Sequence, residues 1–328
     1  MDAMRCGRIL VAAVAATLAL PTAVAAAASP VQTFVTFDPA AGEFPEGVAF
    51  DKTGNLYVSL LPASQIRRIT PDGTQSVVAD FGTAGGAGPA GLAVAPNGTI
   101  YAAEPAIDLQ TAQTNPDKRG VYRVGRDGTP VRLPGTGAIV FPNDLRLDKH
   151  GTVYVTDSAG GSVWRIPKGG SAQLWADGPL LAGTGAAGAG FPIGANGIAV
   201  LREEVIVANT DLGALVRIPI RRDGSAGTPS VLVSSPLLVG VDGLALDVHG
   251  GIYAVVGTQN LVLRIDRDGS ITTLATAAEG LNQPSTAAFG TGRAGNKTLY
   301  IANFSLFSPA PTPGVLTLEV GVPGRPLP

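Results

Sequence analysis

FPEGVAFDKTGNLYVS, residues Phe44 to Ser59, is the stretch from which the rest of the chain can be read. It runs from an acidic residue and a glycine through an apolar strand and a Gly turn into a second apolar strand. Related stretches begin at 89 (PAGLAVAPNGTIYAA), 142 (PNDLRLDKHGTVYVT), 195 (ANGIAVLREEVIVAN), 241 (VDGLALDVHGGIYAV) and, more worn, 284 (PSTAAFGTGRAGNKTLYIAN). A third strand with Arg before Ile or Val follows each of the first five (Arg68-Ile69, Arg123-Val124, Arg165-Ile166, Arg217-Ile218, Arg264-Ile265). Then comes a turn with glycine at Gly73, Gly128, Gly169, Gly224 or Gly269, and a shorter fourth strand. Four strands per repeat of roughly 45 residues, six times over, predict an all-β, six-bladed propeller, because a single small sheet cannot bury both faces and a closed ring can. The sixth repeat runs out of chain after Val315 to Val320, so Val31 to Phe37 from the N-terminus is expected to supply its outer strand and close the ring.

Composition agrees with this and narrows the function. Glycine is abundant, 44 of 328 residues, and no segment has the length and periodicity of a long amphipathic helix. The formal charge of −2 comes from interspersed residues, with no basic patch for nucleic acid or an anionic membrane. Arg5 and Arg8, the apolar run Ile9 to Leu20 and the small residues Pro21 to Ala28 read as a secretory signal peptide, whose apolar core is too short to span a bilayer. Residues 1–28 are therefore expected to be removed, leaving 29–328 as one propeller domain, extracellular or periplasmic, without a membrane span and monomeric. The single cysteine, Cys6, leaves with the leader, which excludes disulfides and thiolate chemistry.

In a propeller the first strand of each blade lines the central channel, so the residues just before it share one rim. Those six positions are Glu46, Ala90, Asn143, Asn196, Asp242 and Ser285. Four carry carboxylate or carboxamide oxygens, with no His or Cys, a donor set suited to Ca²⁺ and not to zinc. Asn-Gly and Asp-Gly are also ordinary turn dipeptides, but Glu46 has no such habit, and four in register favour a metal or polar-ligand site. The longest connections, Glu104 to Arg119, Asp177 to Gly194 and Asn303 to Gly314, fall on this rim. Glu104, Asp157 and Asp211 follow second strands there and are further candidates for facing a ligand. His150 and His249 fall in turns of the opposite rim, so no imidazole is expected at the mouth.

Glu46-Gly47, Asn143-Asp144, Asn196-Gly197 and Asp242-Gly243, each opening an inner strand, make the mature chain resemble the SMP-30/gluconolactonase/luciferin-regenerating-enzyme family of six-bladed propellers. The general propeller pattern also fits NHL-repeat and strictosidine-synthase-like proteins. The resemblance implies a metal-dependent lactonase or esterase, commonly with Ca²⁺. Glu46, Asn196 and Asp242 would hold the ion, Asn143 would be a fourth ligand or a substrate contact, and Asp242 the general base. The ion would polarise the carbonyl of a small lactone or ester and activate water. Sugar-lactonase members carry an Arg two residues before the blade-three Asn. Phe141 stands there in this chain, with Phe191 and Pro192 near the same rim, which points to a less polar lactone or ester. The competing expectation is a non-catalytic secreted propeller that binds a ligand or protein partner around a structural Ca²⁺.

Overall fold

The computed structural model describes residues 31–82, 88–109 and 111–327, so the leader and Cys6 lie outside the described residues. The described chain forms six four-stranded antiparallel sheets. The blades open with inner strands Glu43–Phe50, Leu92–Val94, Pro142–Leu147, Ala195–Leu201, Val241–Leu246 and Pro284–Phe289. Blade six has the strand order 32–36, 314–319, 298–303, 284–289, so Gln32–Thr36 closes the ring by pairing with Gly314–Glu319.

Period-2 strands bury one face against each neighbour, and six of the seven apolar clusters accordingly lie one to each junction. Val48, Phe50, Val58 and Leu60 of blade one meet Tyr300, Ala302 and Val315 of blade six across the closing junction. Trp175 packs edge-on to Tyr154 at 5.0 Å, and its indole N–H donates to the Gly224 carbonyl of blade four. The far-rim turns are held locally: Asp51, Asp148 and Asp247 each accept from backbone N–H groups two and four residues on. His150 and His249 are exposed members of these turns.

One feature of the inner strands matters for the site. In five blades the pairing with the second strand slips by one residue, between Pro45 and Val48, Pro142 and Leu145, Ala195 and Ile198, Val241 and Leu244, and Pro284 and Ala287. Each slip is a β-bulge, in which two residues oppose one on the partner strand. The bulged pairs are Glu46-Gly47, Asn143-Asp144, Asn196-Gly197, Asp242-Gly243 and Ser285-Thr286. The glycines are needed for close approach between blades. A Cβ on Gly197 would lie 2.0 Å from the Asp242 carbonyl oxygen, and one on Gly47 would lie 2.3 Å from that of Ala90.

Candidate functional site

The bulged residues Glu46, Asn143, Asn196 and Asp242 hold equivalent positions in blades one, three, four and five, and three of them interact: the Asp242 charge acts on Glu46, and the Asn196 carboxamide hydrogen-bonds Asp242. Asn143 and Asn196 are buried, while Glu46 and Asp242 keep part of their surface accessible. Both carboxyl groups titrate high. Burial, reinforced by the Asp242 and Asp144 charges and opposed by Arg146, raises Glu46 well above the usual carboxylate range. Burial and the Asp144 charge push Asp242 up to about 8, against the Asn196 carboxamide, which favours its ionised form. Acids placed this way have more negative charge nearby than one guanidinium offsets.

The orientation of the two carboxamides is fixed by hydroxyl groups at the ends of second strands. Ser158 Oγ donates to the Ala195 carbonyl at 2.8 Å, and a carbonyl can only accept. The hydroxyl must then accept from Asn143 Nδ2, at 3.0 Å, which turns Asn143 Oδ1 the other way. Thr210 does the same one blade on, donating to the Val241 carbonyl at 2.7 Å and accepting from Asn196 Nδ2 at 2.9 Å. The two hydroxyls form a relay: each ties one carboxamide to the backbone just before the next blade's polar residue. Asn196 Oδ1 is left buried without a hydrogen-bond partner. A buried acceptor costs about 1–3 kcal/mol when unpaired, so a donor or cation is called for at that point.

These residues fit a hard divalent cation. They offer two carboxylates and two carboxamide oxygens, one of them an orphan, and the set lacks nitrogen and sulfur. Among the described residues no group of three or more His, Cys, Asp or Glu side chains is placed to hold a metal, so further side-chain donors here would have to be the carboxamides. Loss of either relay hydroxyl should therefore weaken cation binding by about 10- to 100-fold, as supporting partners of metal ligands generally do. Calcium titration calorimetry of Ser158→Ala and Thr210→Val checks this, with Thr210→Ser expected to keep near-normal affinity. Affinities unchanged in both would show that the amide orientation is set otherwise.

Sequence reading missed the pair beneath this cluster. Asp144 accepts from the Leu145 and Ile198 backbone N–H groups at 2.8 and 3.1 Å and from Arg146 Nη1 at 2.6 Å. Arg146 also reaches backbone carbonyls of Leu145 at 2.8 Å and, more weakly, of Leu244 in blade five at 3.4 Å and Leu92 in blade two at 3.5 Å. Its guanidinium thus crosses the channel. A signal existed: the repeat position of Arg146 holds alanine in every other blade (Ala49, Ala93, Ala199, Ala245, Ala288). Five small side chains leave the lumen open and one long cation fills it. On its far side a cavity of about 1180 Å³ opens to the opposite rim, lined by these same residues and facing away from the acids.

The remaining candidates are placed differently. The Asp157 carboxylate accepts from the backbone N–H groups of Val140, Phe141 and Gly160, all at 2.9 Å. Asp211 accepts from those of Thr184, Gly185, Ala187 and Ile193. Although burial opposes it, these four donors hold Asp211 below the usual carboxylate range. Both carboxylates therefore brace rim loops and do not present free oxygens to a ligand. Glu104, in the same strand register as Asp157, accepts from Ala106 N through Oε1, while its buried Oε2 has no partner and burial raises the group to about 7. Phe141 packs on Phe191 with ring centroids 5.7 Å apart.

No protein-family model and no curated protein matches the sequence. Solved structures do. A gluconolactonase from Xanthomonas campestris is 21% identical with a TM-score of 0.63, covering 91% of this chain and 96% of its own. Regucalcin from Agrobacterium tumefaciens, a calcium-binding protein, is 17% identical with a TM-score of 0.65, covering 92% and 96%. Luciferin-regenerating enzyme is 13% identical with a TM-score of 0.64, covering 91% and 98%. All three share this chain's fold. At these identities the likeness establishes architecture, and the chemistry has to be argued from the side chains.

Proposed function

We propose that the protein is an exported, Ca²⁺-dependent hydrolase of lactones or related esters, of the SMP-30/gluconolactonase type. The observation that supports this most is the set of four oxygen donors from four blades, two of them carboxamides locked by the Ser158 and Thr210 hydroxyls, with Asn196 Oδ1 unsatisfied. Glu46, Asn143, Asn196 and Asp242 would hold the cation. A divalent cation there would supply positive charge for the oxygen of a scissile carbonyl and make nearby water more acidic. Asp242 would take the proton from attacking water through whichever carboxylate oxygen the cation leaves free, its raised pKa belonging to the cation-free site. Arg146 is paired with Asp144 beneath the site, and its guanidinium offsets part of the like charge to which Asp144 itself contributes. Imidazole-based chemistry lacks its base, because His150 and His249 belong to far-rim turns.

The deciding assay is hydrolysis of a panel of lactones and aryl esters by the mature protein, with Ca²⁺ and with chelator. Turnover abolished by chelation, and reduced at least 100-fold by Asp242→Ala, is expected. Turnover that survives both would overturn the reading. No turnover at all, with Ca²⁺ still raising the melting temperature, would favour the non-catalytic binding module.

A further inference from the structure

The rim above the acids carries an apolar cluster unlike the other six. Those lie between neighbouring blades, whereas the seventh unites Leu61 and Ile107, both buried, with half-buried Phe141, Phe191 and Phe304. These residues come from blades one, two, three and six and from the loop before blade four, so they meet across the mouth and not within one junction. Each lies close in sequence or pairing to the polar site. Phe141 precedes Asn143 by two residues, Leu61 pairs with Phe44 two residues before Glu46, and Phe304 follows the residue paired with Pro284. Phe304 extends the surface outward by an edge-on contact of 6.0 Å to Phe307, which is 70% exposed. An exposed large aromatic beside half-buried ones is an unusual surface to leave in water.

Much of the polar inventory of the same rim is already committed, with Glu104 Oε2 an exception. Asp157 and Asp211 spend their carboxylates on backbone N–H groups. Asn209 donates to the Leu180 and Ala182 carbonyls and accepts from Leu212 N, and Asn303 is bound in the same way to Asn282, Gly280 and Thr312. Among the described rim residues this leaves little to hold a row of sugar hydroxyls, and burying such hydroxyls against phenyl rings unpaired would be costly.

Resting on the hydrolase reading above, we infer that the substrate is a neutral lactone or ester bearing an apolar chain or ring, whose carbonyl is held by Glu46, Asn143, Asn196 and Asp242 while its apolar part lies on Phe141, Phe191 and Phe304, which pack against buried Leu61 and Ile107. Sugar lactones are poor substrates on this view because their hydroxyls find few partners. Specificity grows with buried hydrocarbon.

The test is kcat/KM for a series of γ-lactones with alkyl substituents from methyl to hexyl, beside gluconolactone, in Ca²⁺. Each added methylene is expected to raise kcat/KM by about three- to fourfold until the rim is filled. Phe141→Ala and Phe191→Ala are expected to flatten that slope, and circular dichroism confirms that each variant is folded. A slope that is flat in the wild-type protein, or gluconolactone as the best substrate, would overturn the inference while leaving the hydrolase reading intact. If no lactone or ester is turned over, the hydrolase reading has failed separately. Calorimetric binding of 2-alkylcyclopentanones, unhydrolysable analogues, then decides: affinity rising with chain length supports the apolar subsite, and no binding or no trend overturns it.

Discussion

Replacing Arg146 with alanine is expected to destabilise the protein by about 3–5 kcal/mol at neutral pH, because it strands a buried carboxylate. Asp144 is only 9% exposed in its side chain and Arg146 22%, so solvent screens the pair weakly. Burial already raises Asp144 above the ordinary range even with the guanidinium and two backbone N–H groups opposing it. Without Arg146 the group must either stay charged in a poor environment or take up a proton. The loss should therefore shrink as the pH falls, since protonation removes the stranded charge. The effect also spreads upward, because Arg146 is the cation that lowers Glu46 against two acidic neighbours. Urea unfolding in chelator at pH 7.5 and 4.5 measures both parts. Arg146→Ala combined with Asp144→Asn should recover a substantial share of the loss, the neutral side chain needing no counter-charge. A loss below about 1 kcal/mol, or one equal at the two pH values, would mean that the pair is not the electrostatic floor described here.

The architecture was legible because it is periodic. The FPEGVAFDKTGNLYVS unit recurs with its strand alternation and Gly turns, and the shortfall of the sixth copy pointed to Val31 to Phe37, within which Gln32–Thr36 forms the closing strand. The four oxygen-bearing positions were legible for the same reason, since register aligned Glu46 with Asn143, Asn196 and Asp242. What register could not convey was the bulge at these residues. A bulge is a backbone slip with an uneven sequence trace: a glycine that makes room for the next blade follows in blades one, four and five, but Asp144 and Thr286 stand there in blades three and six. The supporting hydroxyls stayed hidden because Ser158 and Thr210 look like ordinary strand-end polar residues. Their role depends on which neighbouring carbonyl takes the hydroxyl proton. Asp157 and Asp211 show the reverse case. Position placed them on the right rim, but several backbone N–H groups converge on each carboxylate and use it as a loop brace. Arg146 was visible as one arginine among five alanines, and reading it required comparing blades at the channel-facing position rather than at the rim.

Calcium affinity is expected to climb steeply between pH 6 and pH 8, and binding is expected to release at least one proton at pH 7. The cause is the raised titration of the floor. Asp242 sits at about 8 in the folded protein, against an ordinary value of about 3.9, and Glu46 is displaced in the same direction. A carboxyl raised by folding favours the protonated form. Its contribution to stability is therefore fully present below the unfolded value and is lost as pH rises through about 8. The cation-free protein should thus lose stability on going from pH 5 to pH 8. A bound cation reverses that trend, because it needs the ionised form and displaces the proton, giving up to about a tenfold gain in affinity per pH unit for each proton released. Calorimetric titrations in two buffers of different ionisation enthalpy count the protons, and melting curves with and without Ca²⁺ follow the stability. The shift in melting temperature produced by Ca²⁺ should be larger at pH 8 than at pH 6. Asp242→Asn removes one titrating group and one anionic donor together, so it should both weaken binding and flatten its pH dependence. A pH-independent affinity across this range, with no proton released, would show that the acids are already ionised before the cation arrives. The Asn196 carboxamide and Arg146 would then outweigh burial at this mouth.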